Sequence, residues 1–322
     1  MEPRAIRPHT KIGPFFISAH FKDAKDPCIV HDGVTWHIFG SGGTVVKEEW
    51  SILHATAPDI GGPWTEQEPA KLVGLEGMHV AAPSVMYDHR DKLFHMAIQE
   101  DFTAPSGGIE YLVSADGKTF SWMKNLLEPI SGSAEAGLYD PHFSGIRGEK
   151  YLVYAGMPAF MSNDRPFIPQ PDIFVAKSQT NLWTGPWNRM QKILDHDEIA
   201  WHHNRRQDPD YEWGIEGPQL VELPNGKILL NATCFLPEGR RGTRQRVFFA
   251  LADNPEGPFK SLGPVLSDRD QEWESGENGH ATAWVYRDQL YLFYQARSQK
   301  NPDPLANNWQ YGLAMFDLKD LM

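Results

Sequence analysis

Short apolar runs alternate with turn residues along the chain, and no long helical stretch interrupts them. The clearest pair is Gln219–Leu223 and Lys227–Thr233, with Asn225-Gly226 between them. Asn-Gly between two apolar runs is a strong signal of a β-hairpin. No window of about 12 residues shows the apolar period of a helix. The pattern therefore predicts an all-β protein built from hairpins.

The hairpin layout occurs five times, and a third apolar run follows each hairpin. The hairpins begin at Pro27, Pro83, Pro141, Pro218 and Ala281, at steps of 56, 58, 77 and 63 residues. Gly-Pro and an aromatic residue follow three of the third runs, at Gly62–Trp64, Gly185–Trp187 and Gly257–Phe259. A period of this size with three or four strands per unit is typical of a β-propeller.

We therefore predict one five-bladed β-propeller domain over residues 1–322, with blades that start near residues 26, 82, 140, 216 and 280. The longest step contains Trp201–Arg206, which we expect on a loop at the rim. The 28 Gly, 25 Pro and 11 Trp residues agree with many short strands joined by tight turns.

Charge and cysteine usage narrow the possible partners. The net charge of −12 argues against nucleic acid and anionic membranes, since both require basic patches. No apolar stretch approaches the roughly 18 residues of a membrane span. Cys28 and Cys234 form neither a metal-ligand pattern nor a disulfide framework, so we expect buried free thiols. Met1–Arg4 lacks a signal-peptide pattern, which favours a cytoplasmic location, or secretion if a signal was removed.

The residues at the start of each first run should converge, because the innermost strands of a propeller line one channel. These residues are Asp26, Ala82, Asp140, Glu216 and His280. Three carboxylates and an imidazole would then meet in one pocket, and their repulsion should raise at least one carboxyl pKa. A protonated carboxylic acid beside an ionised one is what glycoside hydrolysis requires. The alternative is that Asp-Pro and Glu-Gly-Pro only begin strands as turn residues.

The motifs resemble those of glycoside hydrolase family 43 and its five-bladed relatives, over roughly residues 20–316. The resemblance lies in Lys25–Pro27, Tyr139–Pro141, Ile215–Pro218 and Gly279-His280. It implies inverting hydrolysis of α-L-arabinofuranosides or β-D-xylosides in plant-type oligosaccharides.

By the same resemblance, Asp26 is the general base and Glu216 the general acid, while Asp140 orients the acid and favours its protonated form. His280 would lie near the channel axis, as a substrate contact or beside a calcium ion held through water. His79 and Ala82 are further candidate substrate contacts, because they flank the start of the second blade. No cofactor is otherwise implied.

Two departures from the family pattern bear on the substrate. Ala81-Ala82-Pro83 stands where many members carry Trp before Ala-Pro, so another sugar, such as anhydrogalactose, stays open. Lys25 replaces the Asn of the invertase-like relatives, which disfavours a fructosidase.

A carbohydrate-binding propeller without catalysis is a third possibility, although such a module needs no pair like Asp26 and Glu216. Linkage, exo or endo action and oligomeric state stay open.

Overall fold

A computed structural model describes residues 6–43, 50–100, 107–158, 171–199, 214–237, 243–266, 271–298 and 308–322. Trp201–Arg206 lies outside the described residues. The strands in chain order are β1 Thr10–Phe16, β2 Asp23–His31, β3 Trp36–Gly43, β4 Trp50–Ala57, β5 Thr65–Glu66, β6 Lys71–Val73, β7 Val80–Asp88, β8 Leu93–Glu100, β9 Ile109–Ser114, β10 Thr119–Leu127 and β11 Gly137–Ile146. The others are β12 Glu149–Met157, β13 Asp172–Ser178, β14 Trp187–Leu194, β15 Ile215–Glu222, β16 Ile228–Pro237, β17 Thr243–Ala252, β18 Lys260–Pro264, β19 Glu277–Tyr286, β20 Gln289–Arg297 and β21 Gln310–Asp317.

Helical structure in the described ranges is limited to short 3-10 turns. They span His196–Glu198, Glu272–Glu274 and Leu318–Asp320. None of the helices described here is long or apolar enough to cross a membrane.

Five sheets form the five blades of a β-propeller, which confirms the predicted fold. Their strand orders are β2-β3-β4-β5, β7-β8-β9-β10-β6, β11-β12-β13-β14, β15-β16-β17-β18 and β19-β20-β21-β1. The innermost strands β2, β7, β11, β15 and β19 each contact the next, and β19 contacts β2. The blades therefore form a closed ring around one axis.

The apolar core is divided among the joints between blades. Each of five buried apolar clusters draws its residues mainly from two adjacent blades, and together they fill all five joints. The joint between the first and fifth blades, for example, is filled by Ile38 and Leu53 from one side and by Phe293 and Leu313 from the other. Cys28 and Cys234 are buried and free, as predicted.

The N-terminal strand closes the ring. β1 pairs with β21 in antiparallel register, with Thr10 opposite Met315 and Lys11 opposite Ala314. The fifth blade thus takes its outer strand from the opposite end of the chain, which the repeat pattern did not predict. Lys11 forms a buried ion pair with Glu274, and the Tyr294 hydroxyl donates to the same carboxylate at 2.8 Å.

Candidate active site on the propeller axis

A β-bulge interrupts each innermost strand at the same level of the channel. The ladder between the first and second strands shifts register there in all five blades. At each of these bulges one residue has left-handed backbone, namely Asp26 (φ 51°), Ala82 (51°), Asp140 (48°), Gly217 (56°) and His280 (30°). A bulge bends a strand and redirects a side chain, and left-handed non-glycine residues concentrate at functional sites.

These residues lie inside the strands and not at their first positions, where the sequence pattern predicted them. Asp26, Asp140 and His280 are each the fourth residue of their strand. An Asp-Pro pair in the sequence suggests the start of a strand. Here, however, pairing between the first and second strands begins before the bulge and resumes after it. The bulge directs the three side chains into a common pocket.

The fourth blade is offset by one residue. Gly217 occupies the left-handed position, and Glu216 precedes it in β15. A β-carbon on Gly217 would lie 3.2 Å from Cγ of His280, so glycine leaves room for the imidazole. Glu216 reaches the same pocket from the neighbouring position.

Each left-handed residue donates its backbone N–H to a side chain of the preceding blade. The acceptors are Gln295 Oε1 for Asp26 (2.7 Å), Ser41 Oγ for Ala82 (2.8 Å), Gln99 Oε1 for Asp140 (2.9 Å), Asp140 Oδ2 for Gly217 (3.0 Å) and Thr233 Oγ1 for His280 (2.7 Å). Four acceptors come from the second strand of a blade. In the third blade that position is Ala155, which faces Tyr139 across the ladder and has no polar side chain. The carboxylate of Asp140 takes over the bond to Gly217 and is oriented by it.

The imidazole of His280 lies among three carboxylates. Nδ1 is 2.9 Å from Oδ1 of Asp26 and 3.8 Å from Oδ1 of Asp140, while Nε2 is 2.6 Å from Oε1 of Glu216. The four side chains are 9–18% exposed. Oδ1 of Asp26 has no hydrogen bond of normal geometry, so its contact with the ring is mainly charge–charge attraction.

Burial and mutual charge set the protonation of the cluster. Burial alone would lower the pKa of His280, but Asp140, Glu216 and Asp26 raise the pKa well above its ordinary value, so the ring is an imidazolium. Burial would raise the pKa of Asp26, but the charges of His280 and Lys25 outweigh it and hold the pKa well below its ordinary value. Burial, followed by the charges of Glu216 and Asp26, raises the pKa of Asp140 to about 7 despite the opposing charge of His280. The raised carboxyl pKa that the sequence predicted is therefore found at Asp140.

The cluster forms the floor of a pocket of about 270 Å³. Its lining residues are Lys25, Asp26, Trp50, Ala81, Gln99, Tyr139, Asp140, Ala155, Met157, Pro171, Glu216, Phe235, Gln245 and His280. Aromatic and apolar side chains above a polar floor suit a sugar ring, which has apolar faces and hydroxyl edges.

Two candidate substrate contacts lie elsewhere. His79 is exposed and is not among the described residues that line the pocket. Ala82 is buried and lines a smaller cavity further along the axis, while its neighbour Ala81 faces the pocket. The bulge accounts for this shift, because the side chains of consecutive strand residues point to opposite sides.

A metal ion at His280 does not fit this arrangement directly. Ligand atoms of Asp140, Glu216 and His280 lie within 4.8 Å of one another, a spacing at which an ion could bind. Both ring nitrogens of His280 already face carboxylate oxygens, and a protonated ring offers no lone pair. Calcium also prefers six to eight oxygen ligands. A direct bond from His280 to calcium would require the ring to lose a proton and a carboxylate contact.

Sequence reasoning missed Gln99, Gln245 and Gln295. Gln99 and Gln295 lie near the end of a mostly apolar second strand of their blades. Gln245 lies early in the third strand of the fourth blade. A polar side chain near the end of a mostly apolar strand is too common a pattern to identify Gln99 or Gln295.

The fold and site define a five-bladed β-propeller with an acidic pocket on its axis. No family model and no curated protein sequence matches the chain. Solved structures do match. An α-L-arabinofuranosidase from Podospora anserina in complex with cellotriose has a TM-score of 0.70 at 15% identity, covering 98% of both chains. The catalytic domain of a family 62 α-L-arabinofuranosidase from Coprinopsis cinerea has a TM-score of 0.71 at 14% identity, again covering 98% of both chains.

An exo-1,5-α-L-arabinanase from a bovine ruminal metagenomic library has a TM-score of 0.62 at 14% identity, covering 91% of this chain and 92% of its own. At these identities the likeness establishes the fold. The propeller that the sequence motifs indicated is thus shared with glycosidases.

Proposed function

We propose that the protein is an inverting glycoside hydrolase that acts on α-L-arabinofuranosides or β-D-xylosides. The observation that carries the proposal is that Asp26, Asp140 and Glu216 converge on His280 in one axial pocket. Asp26 stays ionised because of the His280 charge, while a carboxyl proton is retained on Asp140, beside Glu216, up to about pH 7.

Asp26 is the proposed base and Glu216 the proposed acid. Asp26 takes a proton from a water molecule, whose oxygen forms a bond to the anomeric carbon. The glycosidic C–O bond breaks at the same time, and Glu216 gives its proton to the leaving oxygen. The imidazole of His280 lies between the two carboxylates. Because the two carboxyl groups contact different nitrogens of the ring, the ring keeps them apart. This favours the spacing of an inverting site, about 6.5–9.5 Å, over the roughly 5–5.5 Å of a retaining site.

Asp140 is the proposed modulator of the acid. It lies next to Glu216, and the N–H of Gly217 holds its carboxylate in place. A negative charge on Asp140 disfavours a second negative charge on Glu216. Asp140 is only partly ionised near neutral pH, since its pKa is about 7.

The sugar class depends on the pocket wall. Trp50, Tyr139 and Phe235 supply aromatic surface, whereas Ala81 leaves space on the side of the second blade. The arabinofuranosidase and arabinanase structures described above support a pentose substrate. The small Ala81 keeps a second candidate open, a different sugar with more bulk on that side.

A panel of nitrophenyl glycosides tests the function. We expect the purified protein to release nitrophenol from the α-L-arabinofuranoside or the β-D-xyloside. Release only from a hexose or anhydrohexose derivative would support the second candidate. Release from none, together with sugar binding measured by calorimetry, would contradict hydrolysis and support a non-catalytic carbohydrate-binding propeller.

A further inference from the structure

Two buried glutamines join the proposed base to the proposed acid. The backbone N–H of Asp26 lies 2.7 Å from Oε1 of Gln295, and Nε2 of Gln295 lies 3.0 Å from Oε1 of Gln245. Nε2 of Gln245 lies 2.8 Å from Oε1 of Glu216. His280 completes the circuit between Glu216 and Asp26 on the other side.

The direction of this chain follows from its first member. A backbone N–H can only donate, so the amide atom of Gln295 that faces Asp26 is the carbonyl oxygen. The NH₂ group of Gln295 then faces Gln245 and requires the carbonyl oxygen of that amide. Gln245 is left with its NH₂ group toward Glu216. Both amide orientations are therefore fixed by the protein backbone and not by the carboxylate.

Oε1 of Glu216 receives two donors in this arrangement. One is the NH₂ group of Gln245 at 2.8 Å and the other is the imidazolium Nε2–H of His280 at 2.6 Å. A carboxyl oxygen that accepts two hydrogen bonds has no room for a covalent proton. The acid proton is then confined to Oε2.

We propose that Gln245 is the positioning residue that reserves Oε1 of Glu216 and so directs the acid proton to Oε2. The proposal rests on the proposed function for its catalytic meaning. A general acid protonates the leaving oxygen only when its proton points at that oxygen, which makes the choice of carboxyl oxygen part of catalysis.

The surroundings hold Gln245 in this one position. Its backbone N–H donates to Oε2 of Glu277 at 3.1 Å. Gly279 packs against its side chain, where a β-carbon would lie 2.4 Å from Oε1 of Gln245. The side chain is therefore fixed from its backbone, from the neighbouring strand and by Gln295.

A leaving-group series tests the catalytic part of the proposal. Gln245→Met keeps the approximate volume but removes the donor. We expect it to lower kcat at least about 10-fold on glycosides with poor leaving groups, and less on activated aryl glycosides, which need little protonation. Gln219→Met is the matched control, because Gln219 is also a buried glutamine of the fourth blade and its side-chain amide bonds to the backbone of Ala283, away from the pocket lining. The control should change both substrate classes equally or not at all. An equal loss on both classes in Gln245→Met would overturn the positioning role.

Neutron diffraction of the deuterated wild-type protein tests the geometry without reference to hydrolysis. Deuterium distinguishes the NH₂ side of an amide from its oxygen. We expect the ND₂ group of Gln245 to face Oε1 of Glu216, with any carboxyl deuteron on Oε2. A reversed amide, or a deuteron on Oε1, would overturn the proposal. Failure of the wild-type protein to hydrolyse any glycoside would instead count against the proposed function, and the neutron map would still decide the geometry.

Discussion

At the scale of single residues, His280 allows three carboxylates to share one small pocket. Its ring is charged because Asp140, Glu216 and Asp26 surround it, and that charge keeps Asp26 ionised. Asp140 is the least compensated of the carboxylates, since its Oδ1 is 3.8 Å from the ring and Asp26 is at 2.9 Å. A charged pocket of this kind costs stability in the folded protein, as buried charges do.

The pH dependence of stability should reveal Asp140. Its pKa is about 7 in the folded protein against an ordinary 3.8, so folding favours its protonated form. That contribution is fully present below about pH 4 and is lost as the pH rises through about 7. Asp140→Asn removes the titration, so the free energy of unfolding should decline less between pH 4 and pH 7 than in the wild type.

Urea unfolding at several pH values in this range measures the slope. Asp59→Asn is the control, because Asp59 is exposed and does not line the pocket, and it should keep the wild-type slope. Equal slopes in Asp140→Asn and the wild type would show that Asp140 does not hold the proton.

Residue types could be read from the sequence, but their exact register could not. Asp26, Asp140, Glu216 and His280 were all identified as a converging set, because each follows the same place in a repeat. The left-handed backbone at these positions could not be predicted, because an Asp-Pro pair at a bulge has the same sequence as an Asp-Pro pair at the start of a strand. The one-residue offset of Glu216 becomes visible only when Gly217 is seen to occupy the bulge.

At the scale of strands, one hydrogen bond of the same kind joins each pair of neighbouring blades, from the backbone N–H of the left-handed residue to an acceptor side chain of the preceding blade. Ser41, Gln99, Thr233 and Gln295 fill this role from second strands. In the third blade the corresponding residue is Ala155, and among the acceptors of these five N–H groups only that of Gly217 is a carboxylate, the side chain of Asp140. The bond from Gly217 to Asp140 therefore joins two blades and also orients the carboxylate that is proposed to modulate the acid. Single isolated polar residues in apolar strands carry too little pattern for this to be predicted.

The closing strand β1 should depend on its buried ion pair. Lys11 is 10% exposed in its side chain, and the Glu274 side chain is fully buried. Lys11→Met leaves that carboxylate without its cation, and loss of one partner of a buried pair typically costs about 3–5 kcal/mol. We expect the free energy of unfolding in urea to fall by about 3 kcal/mol.

Lys319→Met is the matched control for the closing strand. Lys319 pairs with Asp317 at 2.8 Å near the end of the same blade, but its side chain is 74% exposed. An exposed pair contributes little to stability, because solvent screens its charges, so we expect only a small loss. Similar losses in the two variants would mean that the Lys11 pair does not secure the ring.

At the scale of the whole molecule, five repeats bring distant residues together at one point. Asp26 and His280 are separated by most of the chain, yet their side chains are 2.9 Å apart. The propeller could be predicted because its period, its Gly-Pro-aromatic turns and its hairpins agree with one another. The closure could not, because the pairing of Thr10 with Met315 joins two segments that share no motif. The propeller brings the five innermost strands together around one axis, and the bulges direct the site side chains into the pocket.

In the proposed mechanism Asp26 activates water while Glu216 protonates the leaving group. The most direct measurement is hydrolysis of an activated aryl glycoside by Asp26→Asn, with folding checked by circular dichroism and Glu216→Gln measured beside it. We expect Asp26→Asn to lose activity by at least about 100-fold on activated and unactivated substrates alike, because no water is activated. Glu216→Gln should lose far more on poor leaving groups than on the activated one. Full activity of a folded Asp26→Asn protein would contradict the assignment of Asp26 and the inverting mechanism with it.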